Sequence, residues 1–422
     1  MVGKRVLFIM YENNILEYIR NKIHLIKVKD ILSFFLLIPA IPYAFYLRIK
    51  YGEIWIVREK EDQARDNGFA FFIKNCENDK DVQLVYVIKK ESSDFSKLKQ
   101  YAGHVIEFGS YRHWAYYLAC KACISSVKRN APSALANYVF RKTGIMTEKS
   151  YFLGHGITKD NAEWLHYKNT RFRMFFCGAL PEYEYVKKTY EYPDGSVVFP
   201  GGLCRYDLLH DDSVTNNILV MPTWRIWLAP GDPRMRTIEG TDSFTDTSYF
   251  KHWKEFITSS ELDDLLEEND LRVLFFPHPL LQDYIPLFNT SSKRIIIVDQ
   301  NKEDLQVLIN NSKMLITDFS SVYFDFIYQK KPILFFQFDY KQYRTNHYAE
   351  GWFNYDNNPF GGVADNLNDL IISLRKVVRD QFQVSAEYKE NYKFLFPTCD
   401  SLNSKRAFEI IYSSLHDCKP SY

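Results

Sequence analysis

Short, continuous apolar runs recur along the chain, and polar stretches with apolar residues at helical spacing separate many of them. The first series of runs covers 53–58 (EIWIVR), 82–88 (VQLVYVI), 105–108 (VIEF), 151–153 (YFL), 174–177 (MFFC) and 197–199 (VVF). A polar stretch at 207–217 follows. The second series covers 218–221 (ILVM), 273–276 (VLFF), 295–298 (IIIV), 314–317 (MLIT) and 333–336 (ILFF). Helical patterns fill intervals such as 247–269 and 302–311. Runs that are apolar throughout, rather than alternating, predict parallel strands covered on both faces by crossover helices. Two such series predict two doubly wound α/β domains. The expected division is a leading segment at 1–50, a first Rossmann-like domain at 51–206, a second at 207–385, and closing helices at 386–422.

One apolar run does not fit either series. Residues 31–47 read ILSFFLLIPAIPYAFYL, interrupted by Pro39 and Pro42. Arg20, Lys22, Lys27 and Lys29 precede it, and Arg48 and Lys50 follow. A spanning helix needs about 20 apolar residues. This run is shorter, twice broken by proline and basic on both sides. It is expected to lie in the cytoplasmic leaflet, with its cations near anionic headgroups. The plain alternative is a buried core helix. No signal-peptide cleavage pattern is visible at the start.

The length of 422 residues is too great for one compact core and agrees with two domains. The formal net charge is +1, so no global field draws the chain to nucleic acid, and no basic stripe with interleaved aromatics replaces one. There are seven cysteines, an odd number without paired spacings. The one CxxC, Cys120 to Cys123, lies in an apolar run with no second pair. These thiols read as reduced and mostly buried, which fits the cytoplasm.

Four motifs follow strands directly, where loops and helix N-termini converge in open parallel sheets. They are Gly154-His155-Gly156, Pro222-Thr223-Trp224-Arg225, Pro277-His278-Pro279 and Thr317-Asp318-Phe319-Ser320-Ser321. The last ends a strand and opens a helical stretch at 322–329. Ser320 or Asp318 can cap that helix, and its free N–H groups with adjacent hydroxyls suit a phosphate. His278 is held in direction by two prolines and can act as acid, base or phosphate partner. His155 sits between two glycines that let a substrate approach the backbone. Arg225 can clamp a phosphate bidentately, or can pack on Trp224 as an ordinary surface arginine. The polar stretch at 229–247 reads as a lid or acceptor-contacting loop. The GxSxG, GxGxxG and P-loop patterns are absent, and no cluster of metal ligands is apparent, so neither a cofactor nor a metal is expected.

Taken together these motifs resemble the CDP-glycerol glycerophosphotransferase family, the teichoic acid primases and polymerases. MPTWR, FFPHP and LITDFSSVYFDF match that family's motifs in order and spacing. His155-Gly156 matches the first half of its first catalytic motif, and 59–72 (EKEDQARDNGFAFF) is similar to its N-terminal signature. The resemblance implies a GT-B fold, with two Rossmann-like domains facing a central cleft. It implies transfer of a polyol phosphate from CDP-glycerol or CDP-ribitol to a lipid-linked polymer at the cytoplasmic membrane surface. Carried over, His155 is the base for the acceptor hydroxyl and His278 serves the donor phosphates or leaving group. Arg225, Thr317, Asp318, Ser320 and Ser321 are the donor-phosphate candidates. Arg65, Asn67 and Lys159 are the acceptor candidates. The first motif departs from the family's HGTPLK, reading HGITKD here, in a region assigned to the acceptor. Two other functions share the fold: a glycosyltransferase using a nucleotide sugar, and a non-catalytic polymer-binding protein.

Overall fold

The computed structural model describes residues 32–33, 35–143, 149–209, 214–229, 234–299, 303–347, 349–355 and 360–416. The basic residues Arg20, Lys22, Lys27 and Lys29, together with Ile31 and Phe34, lie outside them. The chain forms two compact units. One holds the residues up to Phe152 plus Thr170–Arg173, and the other holds Leu153–Asn169 and everything from Met174 onward.

The first unit is built on five parallel strands: β1 (Glu53–Arg58), β2 (Val82–Ile88), β3 (Val105–Glu107), β4 (Ala122–Ser125) and β5 (Ser150–Phe152). Their order is β3-β2-β1-β4-β5. Five of the six β1 residues are buried, as a strand covered on both faces requires. Strand β4 was not anticipated. Its four residues, ACIS, carry the second cysteine of the CxxC and offer too short an apolar run to register. Cys120 ends helix Tyr111–Ala119, Cys123 lies in β4, and their sulfurs are 3.4 Å apart.

Helix Leu37–Tyr51 runs through both prolines of the apolar segment. Pro39 falls in its first turn, where no intrahelical N–H is needed. Ala40, Ala44 and Leu47 are buried, in the same core cluster as Trp114 and Ala115 of helix Tyr111–Ala119. The opposite face carries Ile38, Ile41, Phe45 and Ile49, all exposed. The segment is therefore core on one side and apolar surface on the other. Arg48 is not a free flanking cation: its guanidinium donates to the carbonyls of Leu118 (2.7 Å) and Ala119 (3.2 Å), at the C-terminus of the neighbouring helix.

After β1 the chain turns on Glu59, which is 1% exposed. Its carboxylate accepts from the backbone N–H groups of Arg65 (2.9 Å), Asp66 (2.9 Å) and Phe69 (2.7 Å). It thereby holds the start of helix Asn67–Asn75 against the end of β1. A Cβ at Gly68 would meet the Arg58 carbonyl at 2.9 Å, so only glycine fits there. Burial, and then Asp66, push the Glu59 carboxyl up to about 8 against those three amides.

The second unit contains a parallel pair, β6 (Met174–Phe176) with β7 (Val197–Val198). It also contains six further parallel strands: β8 (Asn217–Met221), β9 (Arg272–Phe275), β10 (Ile295–Ile297), β11 (Ser312–Thr317), β12 (Ile333–Phe336) and β13 (Gly362–Ala364). Their order is β10-β9-β8-β11-β12-β13, so the chain reverses direction of travel between β8 and β11. In an open parallel sheet that reversal opens a crevice for ligands beyond the strand ends. In register, Met221 pairs with Thr317 and Val220 with Phe275, which brings three motif-bearing loops side by side. The helical interval at 247–269 is two helices, Ser248–Thr258 and Ser260–Glu268, because Ser259 caps the second by accepting from Leu262. Helices Leu367–Arg379, Ala386–Leu395 and Asn403–His416 follow β13. Asp207 caps the last of them by accepting from the N–H groups of Asn403 (2.9 Å) and Ser404 (2.7 Å).

Replacing Glu59 with alanine removes an acceptor shared by three backbone amides, one buried and two half-buried. The expected cost is about 1–3 kcal/mol, the penalty for leaving such donors unsatisfied. Urea unfolding followed by circular dichroism should show a lower midpoint for Glu59→Ala than for wild type. An unchanged midpoint would show that the clamp is dispensable.

Candidate functional site

The site in the second unit rests on a buried ionic triad. Arg225 follows β8 and has no exposed surface. Its Nε and Nη2 donate to the Asp339 carboxylate at 2.7 and 2.8 Å. Its Nη1 lies 3.0 Å from Asp318 Oδ2 and 2.7 Å from the Thr223 carbonyl. The rings of Phe319, Tyr249 and Tyr343 enclose the guanidinium at 4.9–5.2 Å. Desolvation opposes its charge, but Asp339 and Asp318 outweigh it and hold the guanidinium above its usual range. The expected bidentate clamp is real, but its partner here is Asp339 rather than a phosphate.

Asp318 and Thr317 are equally inward. The Asp318 carboxylate accepts from the N–H groups of Thr223 (2.8 Å) and Phe319 (2.6 Å), and the Thr317 hydroxyl donates to the Met221 carbonyl at 2.6 Å. Burial raises the Asp318 carboxyl against the pull of Arg225. Both residues thus tie the loop after β11 to the loop after β8. The helix beyond is only Tyr323–Tyr328, and neither Ser320 nor Asp318 caps it. Ser320 instead accepts from Val322 N–H at 3.3 Å within the turn, and Ser320 and Ser321 stay half-buried. These two hydroxyls are the members of the motif left at the surface.

His278 is half-buried in the loop after β9. Its Nδ1 accepts from Leu280 N–H at 3.2 Å, so the neutral ring carries its proton on Nε2. The ring stacks against Trp224, with centroids 6.0 Å apart. A second histidine, unnoticed in the sequence, meets the other side of the group: His347 lies 5.1 Å from Trp224 and 4.7 Å from Tyr343. It stands in no motif and follows helix Tyr340–Asn346, so only the fold reveals it. Its Nδ1 accepts from Ile226 N–H at 3.1 Å. Burial, and then Arg225, push this imidazole from 6.5 down to about 3.

The His155 loop belongs to the same unit. Gly154 has φ +74°, a conformation that favours glycine, and His155 itself is exposed. Arg205 donates to the His155 carbonyl at 2.6 Å and forms a bidentate pair with buried Asp325 at 2.9 Å through both contacts. Asp325 sits in helix Tyr323–Tyr328, directly after the two serines. A Cβ at Gly156 would lie 3.1 Å from Ser321 Oγ, which places the two loops in contact. Behind them, Glu182 accepts from Thr158 N–H and Gly178 N–H, both at 2.6 Å.

Lys159, expected to meet an acceptor, is 4% exposed and forms an ion pair with Asp160. Asp160 in turn accepts from Arg344 Nη1 at 2.6 Å. Burial opposes the charge of Asp160, yet Lys159 and Arg344 hold its carboxyl below the usual range. Trp352 donates to the Thr158 carbonyl at 2.8 Å, and a Cβ at Gly351 would strike the Lys159 carbonyl at 2.4 Å. The loop is therefore pinned along its length.

Arg65 and Asn67 belong to the first unit. Arg65 is paired with Asp94 at 2.6 Å with 30% of its side chain exposed, whereas Asn67 is fully buried at the start of its helix. The described part of the 229–247 stretch is anchored rather than loose. Phe244 stacks on Tyr284 at 3.9 Å, and Glu239 accepts from Trp227 Nε1 at 2.9 Å. A cavity of about 700 Å³ beside β7 and helix Asn403–His416 contains none of the motif residues. Among the described residues no group of three or more His, Cys, Asp or Glu is arranged to hold a metal.

The model of the family described as CDP-glycerol:poly(glycerophosphate) glycerophosphotransferase matches residues 40–413. The chain is 30% identical over 365 residues to the minor teichoic acid biosynthesis protein GgaB of Bacillus subtilis (strain 168), which covers 85% of this chain but 39% of that protein. The chain thus spans about two fifths of this curated relative. Among solved structures, a wall teichoic acid polymerase TagF soaked with CDPG superposes with a TM-score of 0.61 at 15% identity, covering 96% of this chain and 98% of the other. A UDP-GlcNAc 2-epimerase from Neisseria meningitidis gives 0.51 at 11% identity over 86% of this chain and all of the other. These likenesses establish a GT-B type fold.

The displaced His347 imidazole makes stability depend on pH. Unfolded, it takes up a proton near pH 6.5. Folded, it does so only near pH 3. Its contribution is therefore complete above pH 6.5 and is lost as pH falls toward 3. Thermal melts at pH 7.5 and pH 5 should show the gap between wild type and His347→Gln narrowing at the lower pH. A gap independent of pH would contradict the assignment.

Proposed function

Because the chain belongs to the CDP-glycerol:poly(glycerophosphate) glycerophosphotransferase family, we propose that it moves a polyol phosphate from a CDP donor, CDP-glycerol or CDP-ribitol, onto a lipid-linked teichoic acid or capsule-type polymer. CMP is the second product. One observation carries this reading: the His155 loop meets the Ser321 loop within a single unit, bridged by Arg205 between the His155 carbonyl and Asp325. An exposed base and a set of phosphate-binding hydroxyls therefore share one wall.

The chemistry follows from those groups. An acceptor hydroxyl attacks the phosphorus bonded to the polyol. A new P–O bond forms, and the bridging P–O bond breaks with its electron pair leaving on CMP. The hydroxyl proton passes to the His155 imidazole, which is needed because a neutral hydroxyl is a weak nucleophile. His278 offers its Nε2–H to the phosphate that departs, since its Nδ1 already accepts from Leu280. Ser320 and Ser321 donate to the pyrophosphate. Arg225, Thr317 and Asp318 act one step back, by fixing the loops that present those donors. Of the acceptor candidates, Arg65 has surface to offer, while Asn67 and Lys159 shape their loops from within.

Attachment to the cytoplasmic face of the membrane is part of the same proposal. Helix Leu37–Tyr51 exposes Ile38 (71%), Phe45 (63%) and Ile49 (84%) on one face. Removing such a stripe from water favours a bilayer interface by roughly 25 cal/mol per Å². Among the described residues no helix is long and apolar enough to cross a membrane.

Two outcomes are expected. His155→Ala should reduce CMP release from the CDP donor by about 100- to 10,000-fold while leaving donor affinity intact. Near-normal turnover in the folded variant would remove His155 from the mechanism. Separately, wild type should float with anionic liposomes, and a variant with Ile38, Phe45 and Ile49 changed to serine should not. Equal flotation would end the membrane reading.

A further inference from the structure

Beyond the motif residues, the second unit holds a cation two of whose three nitrogens lack a partner at full hydrogen-bond geometry. Arg344 stands in helix Tyr340–Asn346 with 13% of its side chain exposed. Its Nη1 meets Asp160 at 2.6 Å. Its Nε and Nη2 are buried and make no hydrogen bond. The Tyr340 hydroxyl lies close enough to serve as a loose hydrogen-bond partner of the guanidinium, while Nε and Nη2 meet no acceptor at full hydrogen-bond geometry. The rings of Tyr340, Tyr343 and Tyr355 surround the guanidinium at 5.7–6.0 Å. The hydroxyls of Tyr355 and Tyr323 are likewise buried without a hydrogen-bond partner. Each of these tyrosines feels the charges of Asp160 and Arg344, which places all four in one neighbourhood.

Buried donors without acceptors are costly, and a charged one most of all. Asp160 fixes Arg344 through Nη1 and leaves the other edge, a parallel pair of N–H groups, without an acceptor at full hydrogen-bond geometry. That fork matches two oxygens of a phosphate. An anion arriving there competes with the Tyr340 hydroxyl for the guanidinium. Lys159 and Arg344 supply two positive charges to the neighbourhood, against the carboxylates of Asp160 and Asp318. The position is chemically connected to the reaction, because Asp160 lies five residues after His155 on the pinned loop.

We propose that the Nε–Nη2 edge of Arg344, with the Tyr355 hydroxyl, binds a substrate phosphate. The ligand is either the donor's pyrophosphate or a phosphodiester near the acceptor end. The identity of those substrates rests on the function proposed above, whereas recognition of phosphate does not.

The test is calorimetry on the whole chain, with inorganic pyrophosphate, CDP and a soluble glycerol phosphate oligomer as probes. Arg344→Lys keeps the charge and the pairing with Asp160 but lacks the fork. Tyr355→Phe removes only a hydroxyl and serves if Arg344→Lys fails to fold. A loss of about 10- to 100-fold for pyrophosphate and CDP, with an unchanged melting temperature, identifies the donor as the source. A similar loss confined to the oligomer identifies the acceptor. Wild type that binds pyrophosphate but not CDP would overturn the donor assignment while keeping the site. Unaltered affinity for every probe in a folded variant would overturn the proposal, leaving the edge to buried water.

Discussion

Arg225, fully enclosed between Asp318 and Asp339, is the constraint on which the second unit's site depends. A guanidinium cannot be removed from water unless carboxylates and carbonyls satisfy its donors, and losing one partner of such a pair costs about 3–5 kcal/mol. Here those partners stand in three separate loops, after β8, β11 and β12. Satisfying the charge therefore fixes the three loops relative to one another. Trp224 is carried into place beside Arg225, and both histidines pack on its ring. Ser320 and Ser321 are left at the surface because Thr317 and Asp318 face inward.

A second ionic bond extends the same logic to the loop of His155. Arg205 and Asp325 are both nearly buried, and the arginine's remaining donor takes the His155 carbonyl. Glu182 holds the next residues from behind through two short backbone bonds. The backbone of His155 is thus restrained while its imidazole stays exposed. That combination suits the role proposed for His155, since a general base must be both positioned and reachable.

Much of this architecture was legible in the chain. Runs such as EIWIVR and ILFF are strands from first to last residue, because their apolar positions are continuous and buried on both faces. The short strands β4 and β13 were missed: ACIS and GVA carry too few large apolar residues to stand out. The two prolines at 39 and 42 pointed to a broken segment, yet one lies in a helical first turn and the other is tolerated inside the helix. At the site, the motifs marked which loops matter but not which way their side chains turn. The role of Arg225 depends on Asp339, 114 residues away, and that of Lys159 on Arg344 through Asp160. His347 has no motif at all. Such partnerships are set by strand order, and no local pattern announces them.

The proposed chemistry is that this scaffold moves a phosphate-bearing unit rather than a sugar. Phosphorus NMR of the products tests it most directly. The chain would be incubated with a lipid-linked acceptor and, in parallel, with CDP-glycerol, CDP-ribitol and nucleotide sugars. The expected outcome is CMP together with a new phosphodiester resonance from one of the CDP-polyols and no reaction with the sugars. Release of a nucleoside diphosphate from a nucleotide sugar, with no new phosphodiester, would contradict it.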